Sequence, residues 1–297
     1  MTRVNKCIEL LEQNQPIYST SATALTYEAG FEQAKTWADL IIVEFEHHPF
    51  DTVGLRSFLL GLKDGGPTAS GHLTPTVIAT LPSNCITAEE ITYNAWQSRH
   101  ILSTGVHGLL QTHARSPDAV RAFVATARYP LHTRGLKQGI SVGMRGAGGQ
   151  GPPSEIWGLS QTEYVNKAEP WPLDPEGELM LGLKIEDRYA LPDAKTIASV
   201  PGIAFAEWGP GDMSMSFGDP DGHNPPYSEE MTSALHTVRS ACHQANIAFH
   251  CSWADPAMSV EEQVKYLLEK LDTKSLVVPN REHAAYGRTL TGRTMPV

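Results

Sequence analysis

Eight short apolar, β-branched runs punctuate the chain, at residues 16–21, 39–44, 75–80, 108–113, 179–186, 203–208, 247–252 and 275–279. Amphipathic segments lie between most of them. Leu55, Phe58, Leu59 and Leu62 follow the spacing of one helix face, as do Val120, Phe123, Val124 and Ala127, and later Val264, Leu267, Leu268 and Leu271. A strand followed by a helix, repeated around the chain, predicts an α/β fold: a closed parallel (β/α)8 barrel of the TIM type. A doubly wound open sheet is the alternative, but its usual Gly-rich first turn is not present. The 297 residues suit one barrel domain over the whole of 1–297.

One stretch breaks the rhythm. Residues 143–175 are rich in Gly and Pro, including Gly146-Ala-Gly-Gly-Gln-Gly-Pro-Pro153 and Glu169-Pro-Trp-Pro-Leu-Asp-Pro175. This long loop follows the fourth repeat, and it predicts a lid or a subunit contact rather than a linker. No Gly-Lys-Ser/Thr follows the Gly run, so it is not a phosphate-binding P-loop.

Composition narrows the partners. The formal charge of −10 argues against nucleic acid or an anionic membrane surface as the main partner. The longest aliphatic runs, such as Leu40-Ile41-Ile42-Val43, are too short to span a bilayer. The start, Met1-Thr2-Arg3-Val4-Asn5-Lys6, leads into Cys-Ile-Glu rather than an apolar signal core, so a cytoplasmic protein is expected. Cys7, Cys85, Cys242 and Cys251 form no CxxC pair; the expectation is four reduced thiols, with two disulfides as the alternative.

In a barrel, chemistry sits where strands end and the following loops begin. The second strand runs into Val43-Glu44-Phe45-Glu46-His47-His48-Pro49. Glu44 and Glu46 share a face if the strand continues that far. His47 is a candidate general base, because an ordinary imidazole titrates near neutrality. A solvated loop with a helix starting at Asp51 is the plainer reading. At the end of the fifth run, alternation sets Lys184 and Glu186 on one face, either as active groups or as a structural ion pair. After the sixth run comes Gly209-Pro-Gly-Asp-Met-Ser214. Its Gly-Pro-Gly turn allows close backbone approach to a ligand, and free amides there can face an anion. Carboxylates from Glu186 and Asp212 suit a hard divalent cation, Mg2+ or Mn2+. His113 and His250, at the ends of the fourth and seventh strands, could line the mouth. Arg128 and Arg134 are read as braces of the fourth loop, and Trp171 and Trp208 as packing residues.

Together these pieces resemble the HpcH/HpaI family, the metal-dependent class II pyruvate aldolases that cleave 4-hydroxy-2-oxo acids. The resemblance rests on Ile42-Val-Glu-Phe-Glu-His-His-Pro49, Ala127-Arg-Tyr-Pro130 with Arg134-Gly135, Lys184-Ile-Glu186 and Gly209-Pro-Gly-Asp-Met-Ser214, with Trp157 and Tyr164 at the family's spacing between them. It implies a carbon–carbon lyase (an aldehyde-lyase) that releases pyruvate and an aldehyde through an enolate stabilised by a divalent metal: Mg2+ or Mn2+, or else Co2+ or Zn2+. Glu186 and Asp212 would bind the metal, and His47 would move the proton of the 4-hydroxyl. Backbone amides at Gly211 and Asp212 would hold the substrate carboxylate, with Glu46 and Glu44 supporting the site. The resemblance also implies a role in aromatic compound catabolism and a homohexamer in which the C-terminal segment, about 280–297 with Arg281, Arg288 and Arg293, is exchanged between subunits.

Three positions depart from the family pattern. Its Arg near the end of the third strand falls at about Ile78, its Asp before the fourth strand falls near Ser103, and Lys184 stands where Gln is usual. Lys184 is therefore expected to replace the missing cation and contact substrate, and Glu44 or His48 to orient His47. The changes leave open an oxo-acid decarboxylase or another enolate-forming enzyme. A non-catalytic relative that binds only a metal or an acid is a third reading, disfavoured by the presence of Glu186, Asp212 and His47.

Overall fold

The computed structural model describes residues 3–297; Met1 and Thr2, the first residues of the N-terminal segment discussed above, lie outside it. The predicted runs all become strands: β1 (Ile17–Ser21), β2 (Leu40–Val43), β3 (Thr76–Cys85), β4 (Gly108–Ala114), β5 (Leu179–Lys184), β6 (Phe205–Trp208), β7 (Ala248–Cys251) and β8 (Ser275–Val277). Each pairs in parallel with the next, and β8 returns to β1 through Ile17 and Ser275. The ring closes, so the open-sheet alternative is set aside and the barrel holds. β3 runs five residues beyond its predicted end at Thr80 and shifts register between Thr80 and Asn84.

Alternation along the strands builds the interior. A lower layer holds Ile17, Leu40, Ile78, Met180, Phe205 and Ala248, closed from below by Cys7, Ile8 and Leu10 of the helix Lys6–Glu12. Gly182 leaves the space that the Phe205 ring fills, because a Cβ there would fall 2.0 Å from that ring. Two residues further along several of the same strands the layer turns polar, with Ser19, Thr80, Glu207 and His250. The barrel thus has an apolar floor and a polar mouth.

The helices cover the outside as their periodicity predicts. Leu55, Phe58, Leu59 and Leu62 are fully buried on the helix Thr52–Gly65, which Asp51 caps by accepting from the Gly54 amide. Ser116 caps Pro117–Thr126, with Pro117 in its first turn. The third periodic segment is α-helical only over Val260–Lys265 and continues as a π turn over Tyr266–Lys270, yet Val264, Leu267 and Leu271 remain buried.

Residues 143–175 hold more regular structure than their composition suggests. They contain the helices Gly151–Trp157 and Gln161–Lys167, the latter started by a Ser160/Glu163 capping box. Trp157 stacks on His107 and donates to Gly105 O, at the start of β4, so these helices lie toward the end of the barrel opposite the mouth. Arg128 pairs with buried Glu169, and Arg134 Nε lies 3.2 Å from Asp174 Oδ2, as expected of braces. Trp208 is fully buried, and Trp171 packs against the lower interior layer. All four cysteines are buried and free.

The C-terminal helix Arg281–Leu290 packs on the barrel of the same chain through Ala284 and through Gly287 against Tyr18, and Met295 beyond it packs on the barrel floor. Arg293 makes a bidentate pair with fully buried Asp39, at 2.7 Å through both nitrogens, and Arg288 Nη2 lies 3.4 Å from Asp39 Oδ2. No helix of the described residues is long and apolar enough to cross a membrane.

Candidate active site

The C-terminal ends of four strands, with the segments that follow them, converge on one point. Glu46 follows β2, His113 lies near the end of β4, Glu186 follows β5, and Asp212 sits in the first turn of the helix Pro210–Phe217 after β6. One ligand atom from each of these four residues lies within 4.8 Å of the others. The sequence set Glu186 and Asp212 here as ligands, with Glu46 in support and His113 at the mouth; the fold brings ligand atoms of all four into one cluster.

Local geometry explains the convergence. β2 ends at Val43, so Glu44 and Glu46 are presented by a loop rather than along a continuing strand. Glu44 accepts from Thr80 Oγ1 at 2.7 Å and from the Glu46 amide, which fixes the loop. Glu186 is held by the His113 amide, which donates to its Oε1 at 3.2 Å. Gly209 has no Cβ, and one would lie 2.9 Å from Glu186 Oε2, so glycine leaves room for that carboxylate. Gly211 and Asp212 occupy the first turn of their helix, where amides lack intrahelical acceptors and can receive a carboxylate.

Lys184 is nearly buried in the mouth, hydrogen-bonded to Glu46 and 3.7 Å from Glu186 Oε2. It shares the Glu186 face, as alternation predicts. Burial alone would lower its pKa, but Glu207, Glu186 and Glu46 more than offset this and hold the amine charged. Burial pushes Glu186 up to about 8, partly countered by Lys184. The carboxylates of Asp187 and Glu46 beside its ring raise His113 to about 10. Burial would raise Glu46, yet the His113 ring and the Lys184 charge beside it leave it below the usual carboxylate value.

His47 stands at the rim, with its side chain 61% exposed and its Nε2 3.6 Å from Glu46 Oε2. The carboxylate near it is therefore Glu46, while Glu44 is engaged by Thr80. His48 lines a cavity of about 620 Å³ beside the cluster, together with Glu44, Thr80, Lys184, Glu207 and His250. Buried His250 meets Ser275 Oγ through Nδ1 at 2.8 Å and leaves Nε2 without a partner. Ile78, where the family Arg was sought, points into the apolar floor, and Thr80 is the third-strand residue that reaches the mouth.

Glu207 and Asp187 carry charge at the site and were given no role from sequence. Strand alternation from Phe205 was the available signal for Glu207. Asp187 depends on a contact between separate strands: Arg115 Nε donates to its Oδ2 at 2.7 Å.

The residues present fit a divalent cation. Three carboxylates and an imidazole face one another, and Glu46 Oε1 is buried without a hydrogen-bond partner. Carboxylate charge gathered in a low-dielectric mouth is the arrangement a cation would stabilise.

Several known proteins are similar to this chain. The chain is 22% identical over 248 residues to a hydroxypyruvate/pyruvate aldolase of Paraburkholderia phytofirmans, covering 83% of this chain and 82% of that protein. It is 28% identical over 163 residues to a 2-keto-3-deoxy-L-rhamnonate aldolase of Klebsiella pneumoniae, about half of each chain at 54% and 52%. Among solved structures, an HpcH/HpaI aldolase/citrate lyase family protein of Burkholderia cenocepacia superposes with a TM-score of 0.70 at 18% identity, covering 97% of both chains. No family model matches the sequence. The curated relatives are named as aldolases, consistent with the HpcH/HpaI resemblance of the motifs, and the solved structure shares the (β/α)8 fold.

Proposed function

We propose that this chain is a metal-dependent lyase of the class II aldolase type, cleaving a 4-hydroxy-2-oxo acid to pyruvate and an aldehyde. The observation that carries this is the cluster of Glu46, His113, Glu186 and Asp212 at the C-terminal end of a parallel barrel. Curated relatives named as aldolases support lyase chemistry. Glu186 and Asp212 would hold the metal, with Glu46 beside them. When bound, the metal supplies Lewis-acid stabilisation of negative charge on the substrate's keto oxygen.

The chain's own groups account for the rest. The first-turn amides of Gly211 and Asp212 receive the substrate carboxylate. Lys184 presents a fixed positive charge to the substrate, steadied by Glu46. His47 takes the proton of the 4-hydroxyl as the carbon–carbon bond breaks, and Glu46 lies close enough to orient it. The cavity bordered by Glu44, Thr80, Glu207 and His250 is the room for the aldehyde half. The same reading includes a cytoplasmic homo-oligomer with a single barrel domain per chain. An exchanged C-terminal segment would have to remake the Asp39–Arg293 pair between subunits.

The test is a metal-by-substrate screen on chelated protein, using 4-hydroxy-2-oxo acids with aliphatic and aromatic tails. Pyruvate and aldehyde should form only after Mg2+, Mn2+, Co2+ or Zn2+ is restored. Carbon dioxide without aldehyde would replace the aldolase reading with decarboxylation. No product with any metal and any oxo acid would refute it.

A further inference from the structure

His113 is not used by the reaction as proposed, yet it is built into the cluster. Its backbone takes a left-handed φ of 46°, uncommon for a residue with a side chain. That turn lets its amide donate to Glu186 Oε1 while its ring reaches Glu46. The two ring nitrogens have different surroundings. Nδ1 lies 3.5 Å from Asp187 Oδ2 and 3.8 Å from Glu186 Oε1, and Nε2 lies 3.4 Å from Glu46 Oε1. Asp187 is itself fixed by Arg115 and by the amides of Tyr189 and Ala190. A carboxylate behind one nitrogen, with the other aimed at a ligand set, is how metal-bound imidazoles are oriented. The Glu46 side chain is only 6% exposed, and its Oε1 has no hydrogen-bond partner.

We propose that His113 is a direct metal ligand through Nε2, oriented by Asp187, making a mixed nitrogen–oxygen centre that favours a transition ion such as Mn2+, Co2+ or Zn2+ over Mg2+. The inference rests on the metal-dependent function above. It follows from ligand chemistry, because imidazole suits these ions whereas Mg2+ takes oxygen donors. The competing arrangement is a protonated His113 that acts only as a counter-ion to the carboxylates.

Pulsed electron paramagnetic resonance on the full chain loaded with Mn2+ separates the two. Coupling to a directly bound imidazole nitrogen is expected in the wild-type protein. It should vanish in His113→Gln and persist in His47→Gln and His48→Gln. By titration, His113→Gln should weaken Co2+ binding by roughly 10- to 100-fold, the scale of lost support around a metal, and Mg2+ binding by much less. Should His113→Gln fail to fold, wild-type protein carrying 15N-labelled histidine should show the isotope-shifted coupling, again retained in the His47 and His48 variants. Bound Mn2+ without nitrogen coupling, or coupling that survives in His113→Gln, would overturn the assignment and leave the aldolase reading standing. Failure of any divalent ion to bind would overturn both.

Discussion

Lys184 Nζ lies 3.7 Å from Glu186 Oε2 and donates a hydrogen bond to Glu46, so one ammonium joins two carboxylates of the candidate metal cluster. This gives the Lys-for-Gln departure a physical role. Lys184→Gln removes a cation from the proposed reacting centre and also from beside the candidate metal ligands. Turnover should fall roughly 100-fold, the scale for losing one charge-stabilising group, while divalent-ion affinity stays level or rises. Steady-state kinetics and metal titration on the same variant check this. Equal losses in both would make Lys184 a structural partner of Glu186.

Glu186 is nearly completely buried, and its carboxyl is pushed up to about 8. An unfolded carboxyl titrates near ~4.3. The folded chain therefore binds the proton more tightly between those values, and its stability falls as pH rises through that window. In chelated protein, Glu186→Gln should abolish this loss, raise the melting temperature near neutrality and eliminate metal binding. Thermal melts across the window decide it. An unchanged pH profile would mean that Glu186 is already ionised against Lys184.

Asp39 behaves in the opposite sense at the other end of the barrel. Burial would raise its pKa, but Arg293, then Arg288 and Lys6, hold it below the usual carboxylate value. Its contribution to stability is present above the unfolded pKa and is lost as pH falls through the lower folded one. Asp39→Asn should destabilise the chain by about 3–5 kcal/mol at neutral pH, since it leaves buried cations unpaired. It should also flatten the acid limb of a denaturation series. A loss below about 1 kcal/mol, typical of an exposed pair, would place the tail's anchorage elsewhere.

Gly182→Val tests the barrel floor. The added Cβ would fall 2.0 Å from Phe205, and the ring has packed neighbours in the floor. Destabilisation of about 1–3 kcal/mol or more is expected from overpacking. A compensating Phe205→Leu should recover part of it, as measured by urea melts.

The chain's own order of residues determined the barrel, because periods of 2 and 3.6 decide which side of each element is apolar, and every predicted run became a strand. It also placed Glu186 and Asp212 near each other, since both sit at fixed offsets from adjacent strand ends. Tertiary structure alone decided the rest. Whether His113 reaches Glu46, whether Asp187 stands behind it, and whether Glu207 faces Lys184 depend on register around a closed ring and on one left-handed turn. The family Arg was sought at Ile78, yet Thr80 is the side chain that reaches the mouth, because a shift of two residues moves a side chain up one layer. In the sequence Arg288 and Arg293 stood only as part of a segment expected to be exchanged between subunits. Asp39, far from them along the chain, is the buried charge they neutralise, and only the folded floor of the barrel brings the two together.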